Sequence, residues 1–198
     1  MGQYYNIVLK HKDEAKVHAF DRHIDGEYTM AKLMEHSYYL NPMVNAICEK
    51  LYHRPTQIAW VGDYANETEE EMKLWKLAYG AKGNKTKYEM LHKTEFTLNG
   101  RFLVNHSKKV FIDCWKYLVN CILNCKNKEY ASWVIHPLPL LTCVGNGRGG
   151  GDYRAKDAEG LEYVGSWCWD TLEIVEWEDM KPLTEKGYTE FDVIFEEC

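Results

Sequence analysis

The chain has 198 residues, 45% of them hydrophobic and 27% charged, which is ordinary for a globular domain with one sizeable core. Its formal charge of −6 argues against general nucleic-acid binding, because neutralising phosphates requires a clustered basic face; a local basic pocket stays open. The sequence has neither a leader segment nor an apolar run of about 18 residues, so we expect a cytoplasmic protein with no membrane partner.

The first elements in chain order are a predicted β-hairpin, a helix and a strand. Residues 3–20 contain two strand-like segments on either side of a polar turn, which is typical of a hairpin. Asn41 followed by Pro42 predicts a helix start, with Asn41 as the N-cap and Pro42 in the first helical position. Residues 56–65 then have the composition of a strand.

A second helix is predicted to begin at a capping box formed by Thr68 and Glu71, and to end at Gly80. The basic and polar residues that follow it are poorly periodic. We therefore expect residues 67–94 to be a helical and polar connector.

The second half opens with the Asn99-Gly100 pair, the strongest short signal for a hairpin turn. Residues 102–113 again read as strand, charged turn and strand, and residues 115–125 as a short helix. The C-terminal residues 188–198 predict one more edge strand.

Residues 166–177 are expected to form one long strand. On such a strand Trp167, Trp169 and Thr171 would share a face, since strand side chains alternate with period two. The two tryptophans would then form an aromatic wall, either in the core or on the floor of a cleft.

The order of elements in the two halves suggests an internal duplication of a hairpin–helix–strand unit. The pseudo-repeats would be residues 1–66 and 95–178, joined by the connector 67–94 within a single domain, 1–198. The predicted class is α+β, with a mainly antiparallel sheet and a few helices.

The segments "MGQYYNIV", "AKLMEHS", "WVGDYA", "LVNHSKKVFID", "IHPLPLL", "GNGRGGGDYR" and "VGSWCWDTLEIV" occur in this order along the chain. Together they resemble an uncharacterised family of bacterial and phage hypothetical proteins. The resemblance implies a phage or mobile-element context but no established activity, and small proteins in that context often bind host factors or host signals.

The glycine-rich segment is the strongest functional candidate, since five of the seven residues 145–151 are glycine. Consecutive glycines let backbone N–H groups converge into a nest that suits phosphate oxygens, and nearby arginines can add bidentate contacts. The alternative is a tight connection where the chain passes close to another backbone. The predicted ligand-binding residues of the segment are Gly147, Arg148, Gly149, Gly150, Asp152, Tyr153 and Arg154.

Histidines supply the remaining candidates. His36 in "MEHS" and His106 in "VNHS" each precede a serine, are treated as equivalent under the duplication, and complete the predicted ligand site. A hydrolytic site is the alternative, with His36, His106 or His136 beside an aspartate from Asp63, Asp113, Asp152 and Asp170. Hydrogen-bonded structural histidines would explain the same residues.

Cysteines give no complete metal site, although Cys121 and Cys125 lie four residues apart on a predicted helix. The total of seven is odd, so in a reducing compartment we expect free thiols, no disulfide and no metal.

The sequence contains no recognisable nucleophile–base pair or metal set, which favours binding over catalysis. We therefore expect a non-enzymatic protein, without a cofactor, that binds a small anionic, nucleotide-like ligand, as in a phage-encoded sponge for a host immune signalling nucleotide. The alternatives are a hydrolase of such a nucleotide and a protein-interaction module that inhibits a host factor. A homo-oligomer or a host protein partner is compatible with each of these functions.

Overall fold

The computed structural model describes residues 1–28, 32–80, 86–125, 133–153 and 160–195. Within these ranges the chain forms a ten-stranded, mostly antiparallel sheet and six α-helices, which confirms the predicted α+β class. The strands are β1 (Tyr5–His11), β2 (Val17–Ile24), β3 (Glu27–Tyr28), β4 (Thr56–Gly62), β5 (Thr86–Leu91), β6 (Arg101–Asn105), β7 (Val110–Asp113), β8 (Cys143–Val144), β9 (Thr171–Glu176) and β10 (Thr189–Glu190). The helices are α1 (Leu33–His36), α2 (Pro42–Lys50), α3 (Glu69–Tyr79), α4 (Cys114–Asn124), α5 (Pro137–Thr142) and α6 (Trp177–Glu185).

The sheet consists of two units with the same strand order. In the first unit β1 lies between β2 and β4, antiparallel to both, and in the second unit β6 lies between β7 and β9 in the same way. Each unit ends in a helix and a parallel edge strand: α3 leads to β5 beside β2, and α6 leads to β10 beside β7. Antiparallel pairing of β4 with β9 joins the units. The strand order thus repeats between the two units, while an internal duplication with halves 1–66 and 95–178 stays a prediction.

The expected connector is part of the first unit. It contains α3, as predicted, but residues 86–91 form the parallel strand β5, so the prediction that they are a polar link is wrong. Strand β5 buries Leu91 in the core while Met90 is exposed. Residues 86–91 do not alternate strictly between polar and apolar side chains, so local periodicity does not identify a strand. The pairing of β5 with β2 is a long-range contact.

The helices cover both faces of the sheet. Because strand side chains alternate, Ile7 and Leu9 face the main core with α2, α4 and α5, whereas Val8 faces α3. In the second unit Leu103 belongs to the main core, and Phe102 and its neighbours face α6. The two units are therefore alike in layering as well as in strand order.

Helix starts follow the local signals. The Asn41 side chain accepts hydrogen bonds from the N–H groups of Met43 and Val44, as expected of an N-cap. Thr68 and Glu71 form the predicted capping box at the start of α3. Both predictions are confirmed.

Two predictions in the second half are wrong. The Asn99-Gly100 turn leads into β6 and joins no pair of strands within the described residues; the hairpin turn of this unit is at residues 106–109. The strand expected at 166–177 is β9 alone, because the chain turns before it and Trp169 has a left-handed φ of 63°. Trp167 is buried in the main core, whereas Trp169 packs against the Val8 cluster on the other face of the sheet, so the expected aromatic wall does not form. Trp177 begins α6.

The cysteines differ from the expectation at one position. Cys48, Cys114, Cys121, Cys143 and Cys168 are free thiols, but Cys125 is disulfide-bonded, so the prediction of no disulfide is wrong. Disulfide pairing depends on the distance between Cα atoms in the folded chain, which residue counting does not provide. Within the described residues, none of the helices combines the length and the apolarity needed to cross a membrane.

Candidate functional site

The glycine-rich segment forms an anion-holding nest whose anion is a side chain of the same chain. The N–H groups of Gly147 and Gly149 donate to Oδ2 of Asp152, at 2.9 and 2.8 Å. The Tyr5 hydroxyl donates to Oδ1 of the same carboxylate, at 2.9 Å, and Asp152 is buried. The carboxylate thus occupies the position that we expected a ligand phosphate to take.

Arg148 is held by helix α3. Its guanidinium donates to both carboxylate oxygens of Glu71, at 2.9 and 2.7 Å, and to the Tyr64 carbonyl, at 2.8 Å. Glu67 lies 3.3 Å away, and the bonds from Arg148 hold the pKa of Glu71 below its usual value. Since Glu71 also closes the capping box, Arg148 fastens the segment to the start of α3.

The glycines allow a close approach of two backbones. A β-carbon on Gly149 would lie 2.2 Å from Cβ and 2.7 Å from the backbone nitrogen of Gln3. Gly150 donates its N–H to the Met1 carbonyl and accepts from the N–H of Gln3, both at 2.9 Å. This geometry matches the alternative reading of the glycines, a tight connection against another segment.

The other predicted residues of the segment either have partners within the chain or lie outside the described residues. Tyr153 is buried, its N–H donates to the Asn146 side chain, and its ring lies edge-on to Phe195. Arg154 lies outside the described residues. Ligand binding by this segment stays a prediction, but the described donors already bond within the chain.

The two predicted site histidines occupy unrelated positions. His36 ends α1 and is half-buried, and burial lowers its pKa. His106 follows β6, where its ring nitrogens contact Glu173 at 2.7 Å and the Tyr188 hydroxyl at 2.9 Å. Their equivalence under the duplication is wrong, because the unit topology matches the turn after β6 to the turn after β1 instead.

His136 is fully enclosed. Its Nδ1 accepts from the N–H of Leu138 at the start of α5, and its Nε2 lies 3.8 Å from Sγ of Cys48. Burial lowers the pKa of His136 to about 3 and raises that of the Cys48 thiol. A neutral imidazole beside a protonated, buried thiol is a structural pair rather than a nucleophile and its base.

A different region brings charged groups together around an open hollow, which we call the cationic cavity. It has a volume of about 390 Å³ and lies at the end of the β1–β2 hairpin. Its lining residues are His11, Glu14, Lys16, His18, Phe20, Lys50, Arg54 and Glu89.

The carboxylates of the cavity are shared between His18 and Arg54. His18 contacts Glu14 through Nε2 and Glu89 through Nδ1, the latter at 2.9 Å. Both contacts are hydrogen bonds only when both ring nitrogens carry hydrogen, which is the charged form of the ring. Arg54 donates through Nη2 to Glu14 and to Asp13. The bonds from His18 and Arg54 lower the pKa of Glu14 to about 2.

The two lysines of the cavity are not neutralised. Lys16 is exposed, and Lys50 lies over the Phe20 ring with its Nζ 5.2 Å from the centroid. Neither forms an ion pair with any part of the chain that the structure describes. Each lysine therefore places an ammonium group without an ion-pair partner beside the hollow, although the three carboxylates there equal the lysine and arginine cations in number.

Sequence reasoning missed this cavity because its residues come from separate segments. His11 and His18 lie across a hairpin turn that reads as an ordinary solvated turn. Lys50 is in the last turn of α2, and Arg54 follows that helix. The available signal was the predicted hairpin itself, since pairing its strands places His11 and His18 with ring centroids 5.5 Å apart.

The corresponding turn of the second unit also contains two lysines, of which Lys108 is paired and Lys109 is exposed without an ion pair in the described ranges. His106 is held as described above, Lys108 lies 3.4 Å from Asp170, and Asn105 bonds to the same aspartate at 2.8 Å. Each of the two turns therefore leaves at least one exposed lysine unpaired among the described residues, and in the first unit Lys16 lines the cavity.

The cavity geometry gives no metal centre, since the two glutamates lie on opposite nitrogens of His18 and do not converge. No group of three His, Cys, Asp or Glu side chains in the described ranges is arranged to hold a metal ion.

The resemblance to a bacterial and phage family stays a prediction. Comparison with protein-family models, with curated proteins and with solved structures finds no match for this chain.

Proposed function

We propose that the protein binds a small anionic ligand in the cationic cavity and does not transform it. The observation that carries the proposal is that Lys16 and Lys50, which have no ion-pair partner within the described ranges, line a hollow of about 390 Å³. Opposite charge attracts an anion, and a partly enclosed cavity screens that attraction less than open solvent does.

Arg54 adds directional donors to the two lysines. Its bonds to Asp13 and Glu14 use only Nη2, and no contact within the described ranges uses Nε or Nη1. A phosphate or carboxylate can accept from those nitrogens while the existing pairs persist. Lys50, at the C-terminal end of α2, supplies a point charge beside the same hollow.

The cavity suits the anionic part of a nucleotide better than its base. Phe20 is the only aromatic ring besides the two imidazoles in the lining, and the Lys50 ammonium already lies over it. We therefore propose that ligand charge, more than base identity, sets the affinity. In the phage setting implied by the resemblance, the role would be sequestration of a host signalling nucleotide.

The same contacts favour binding over hydrolysis. Both nitrogens of His18 face carboxylates, so neither is available to take a proton from a reacting group. The Thr56 hydroxyl, beside His11, donates to the Arg54 carbonyl and is buried. Neither residue is arranged as a base or as an activated nucleophile.

Isothermal titration calorimetry with inorganic phosphate, pyrophosphate and AMP, and with adenosine as the uncharged control, tests the proposal. We expect the anions to bind and adenosine not to bind. Lys50→Gln should weaken binding about tenfold or more, since a charge-assisted hydrogen bond contributes about 1.5 to 3 kcal/mol. Lys73→Gln, an exposed lysine of α3 outside the cavity, is the matched control and should change nothing.

A second measurement separates binding from catalysis. The protein is incubated with AMP and then heat-denatured, and the released nucleotide is identified by mass. Intact AMP supports sequestration, and an altered product would contradict it. Failure of every anion to bind, or equal binding by wild type and Lys50→Gln, would overturn the proposed site.

A further inference from the structure

One ring nitrogen of His11 has no partner among the described residues, although the side chain lines the cationic cavity. His11 is 4% exposed. Its Nδ1 lies 2.7 Å from the Thr56 hydroxyl oxygen, whereas no hydrogen bond or ion pair in the described ranges uses Nε2. Because buried polar groups nearly always have a hydrogen-bond partner, Nε2 is a candidate contact for a ligand in the cavity.

The Thr56 hydroxyl fixes which nitrogen of His11 carries hydrogen. Its own hydrogen goes to the Arg54 carbonyl, at 2.7 Å, because a carbonyl oxygen can only accept. The Thr56 oxygen therefore accepts from His11, and Nδ1 is the nitrogen that donates. In the neutral ring Nε2 then has a lone pair and no hydrogen. Such a nitrogen can bond to an anion oxygen only when a proton lies between the two atoms.

The surroundings of His11 keep its ring neutral at pH 7 when no ligand is bound. Burial lowers the pKa of His11 most, and the positive charges of Arg54 and His18 lower it further. Glu14 and Asp13 act in the opposite direction without reversing the shift. An anion in the cavity adds negative charge beside the ring and therefore raises this pKa. Ligand binding and protonation of His11 thus favour each other.

We propose that His11 contacts the anion through Nε2 and that the complex holds one proton between this nitrogen and a ligand oxygen. The inference rests on the proposed anion binding in the cavity and adds the residue that makes this binding selective. Hydrogen phosphate brings the proton on its own O–H group, whereas sulfate has no hydrogen and requires a proton from solvent.

The rest of the cavity is compatible with a binding role for His11. The described lining contains no hydroxyl or thiol group that Nε2 could activate as a nucleophile. Besides the groups already named, its charged residues are Lys16, Lys50 and Glu89, and Glu89 is bonded to His18. The two lysines attract the anion, and His11 distinguishes between anions by their protons.

Isothermal titration calorimetry with sulfate between about pH 6.5 and 8 tests the proton uptake, since sulfate keeps its charge where histidine titrates. The affinity of wild type should fall about tenfold for each pH unit, because one proton is bound with each anion. His11→Asn keeps an amide N–H toward Thr56 and has no titratable group, so its affinity should stay constant. His92→Gln, which removes an exposed histidine outside the cavity, is the matched control and should behave as wild type.

Hydrogen phosphate measures the selectivity. At about pH 8 it has the charge and the shape of sulfate but carries one O–H group. Wild type should bind it about tenfold or more tightly than sulfate, since sulfate leaves Nε2 without a proton to share. His11→Asn should bind the two anions about equally.

The outcomes separate this inference from the proposed function. Circular dichroism establishes that His11→Asn folds, and the wild-type series needs no substitution. Sulfate binding that is absent or constant with pH in wild type would contradict the role of His11, and a pH dependence that persists in His11→Asn would assign the proton to His18 instead. Anion binding that still depends on Lys50 would then leave the proposed function standing. Failure of every anion to bind would overturn both proposals.

Discussion

The glycine-rich segment and the cationic cavity both contain cationic side chains that could attract an anion, but they differ in whether those cations are neutralised within the chain. In the segment, Arg148 bonds to Glu71, and the N–H groups of Gly147 and Gly149 bond to Asp152. In the cavity, Lys16 and Lys50 have no ion-pair partner within the described part of the chain. The first arrangement holds the fold together and the second is available to a ligand.

The difference shows why a conspicuous motif is an unreliable guide to a site. Glycines and an arginine can lie together because the fold needs two backbone segments to approach each other closely and an ion pair to hold the segment in place. Both roles are observed in the glycine-rich segment. A binding group, by contrast, has to stay unsatisfied in the folded chain, which costs stability and is visible only once all partners are known.

The largest expected effect on stability is at Gly149, where the glycine-rich segment approaches the backbone of Gln3. Gly149→Ala would place a methyl group 2.8 Å from Cα of Gln3 and still closer to its other atoms, so the backbone must shift. We expect a loss of about 2 to 3 kcal/mol in the free energy of unfolding, measured by urea denaturation.

Gly150→Ala is its matched control. The nearest atom to a β-carbon there is Cα of Gly2, at 3.4 Å, which is ordinary contact, and we expect a change below about 1 kcal/mol. Equal losses in both variants would show that the segment is strained as a whole rather than at the approach to Gln3.

The next largest effect on stability is at the ion pair that holds the glycine-rich segment against α3. Arg148→Ala removes a partly buried bidentate pair and should lower the free energy of unfolding by about 1 to 2 kcal/mol, without changing anion affinity. Lys73→Ala, which removes the exposed pair with Glu69 on the same helix, should cost less than about 0.5 kcal/mol.

Calorimetric titration with phosphate decides between the two regions. If Arg148→Ala abolished anion binding and left stability unchanged, the segment would be the binding site and the comparison would reverse.

The smallest effect concerns the pH dependence of the cavity. The pKa of Glu14 is lowered from 4.5 to about 2 by His18 and Arg54, so the folded state favours its charged form. Its contribution to stability is therefore complete above pH 4.5 and is lost as the pH falls toward 2.

The difference in unfolding free energy between wild type and Glu14→Gln should accordingly narrow over that range. Urea titrations at several pH values measure it. A difference that stays constant down to pH 2 would mean that His18 and Arg54 do not stabilise the carboxylate.

Signals contained within a few neighbouring residues were enough to predict several elements. The cap at Asn41, the capping box at Thr68 and the hairpins at the start of each unit depend on bonds between residues close in sequence, and all are confirmed. The order of such elements also indicated the α+β class.

What the sequence by itself determined is therefore the set of local elements, their order and the balance of charge. The tertiary structure decided that residues 86–91 form a strand, that Trp169 lies in a turn, and that Arg148 is neutralised while Lys50 is not. Each of these depends on a contact between residues far apart in the chain, such as Arg148 with Glu71. Local propensity and spacing carry no information about which distant charge reaches which partner, and for that reason the fold decides which groups remain free to bind.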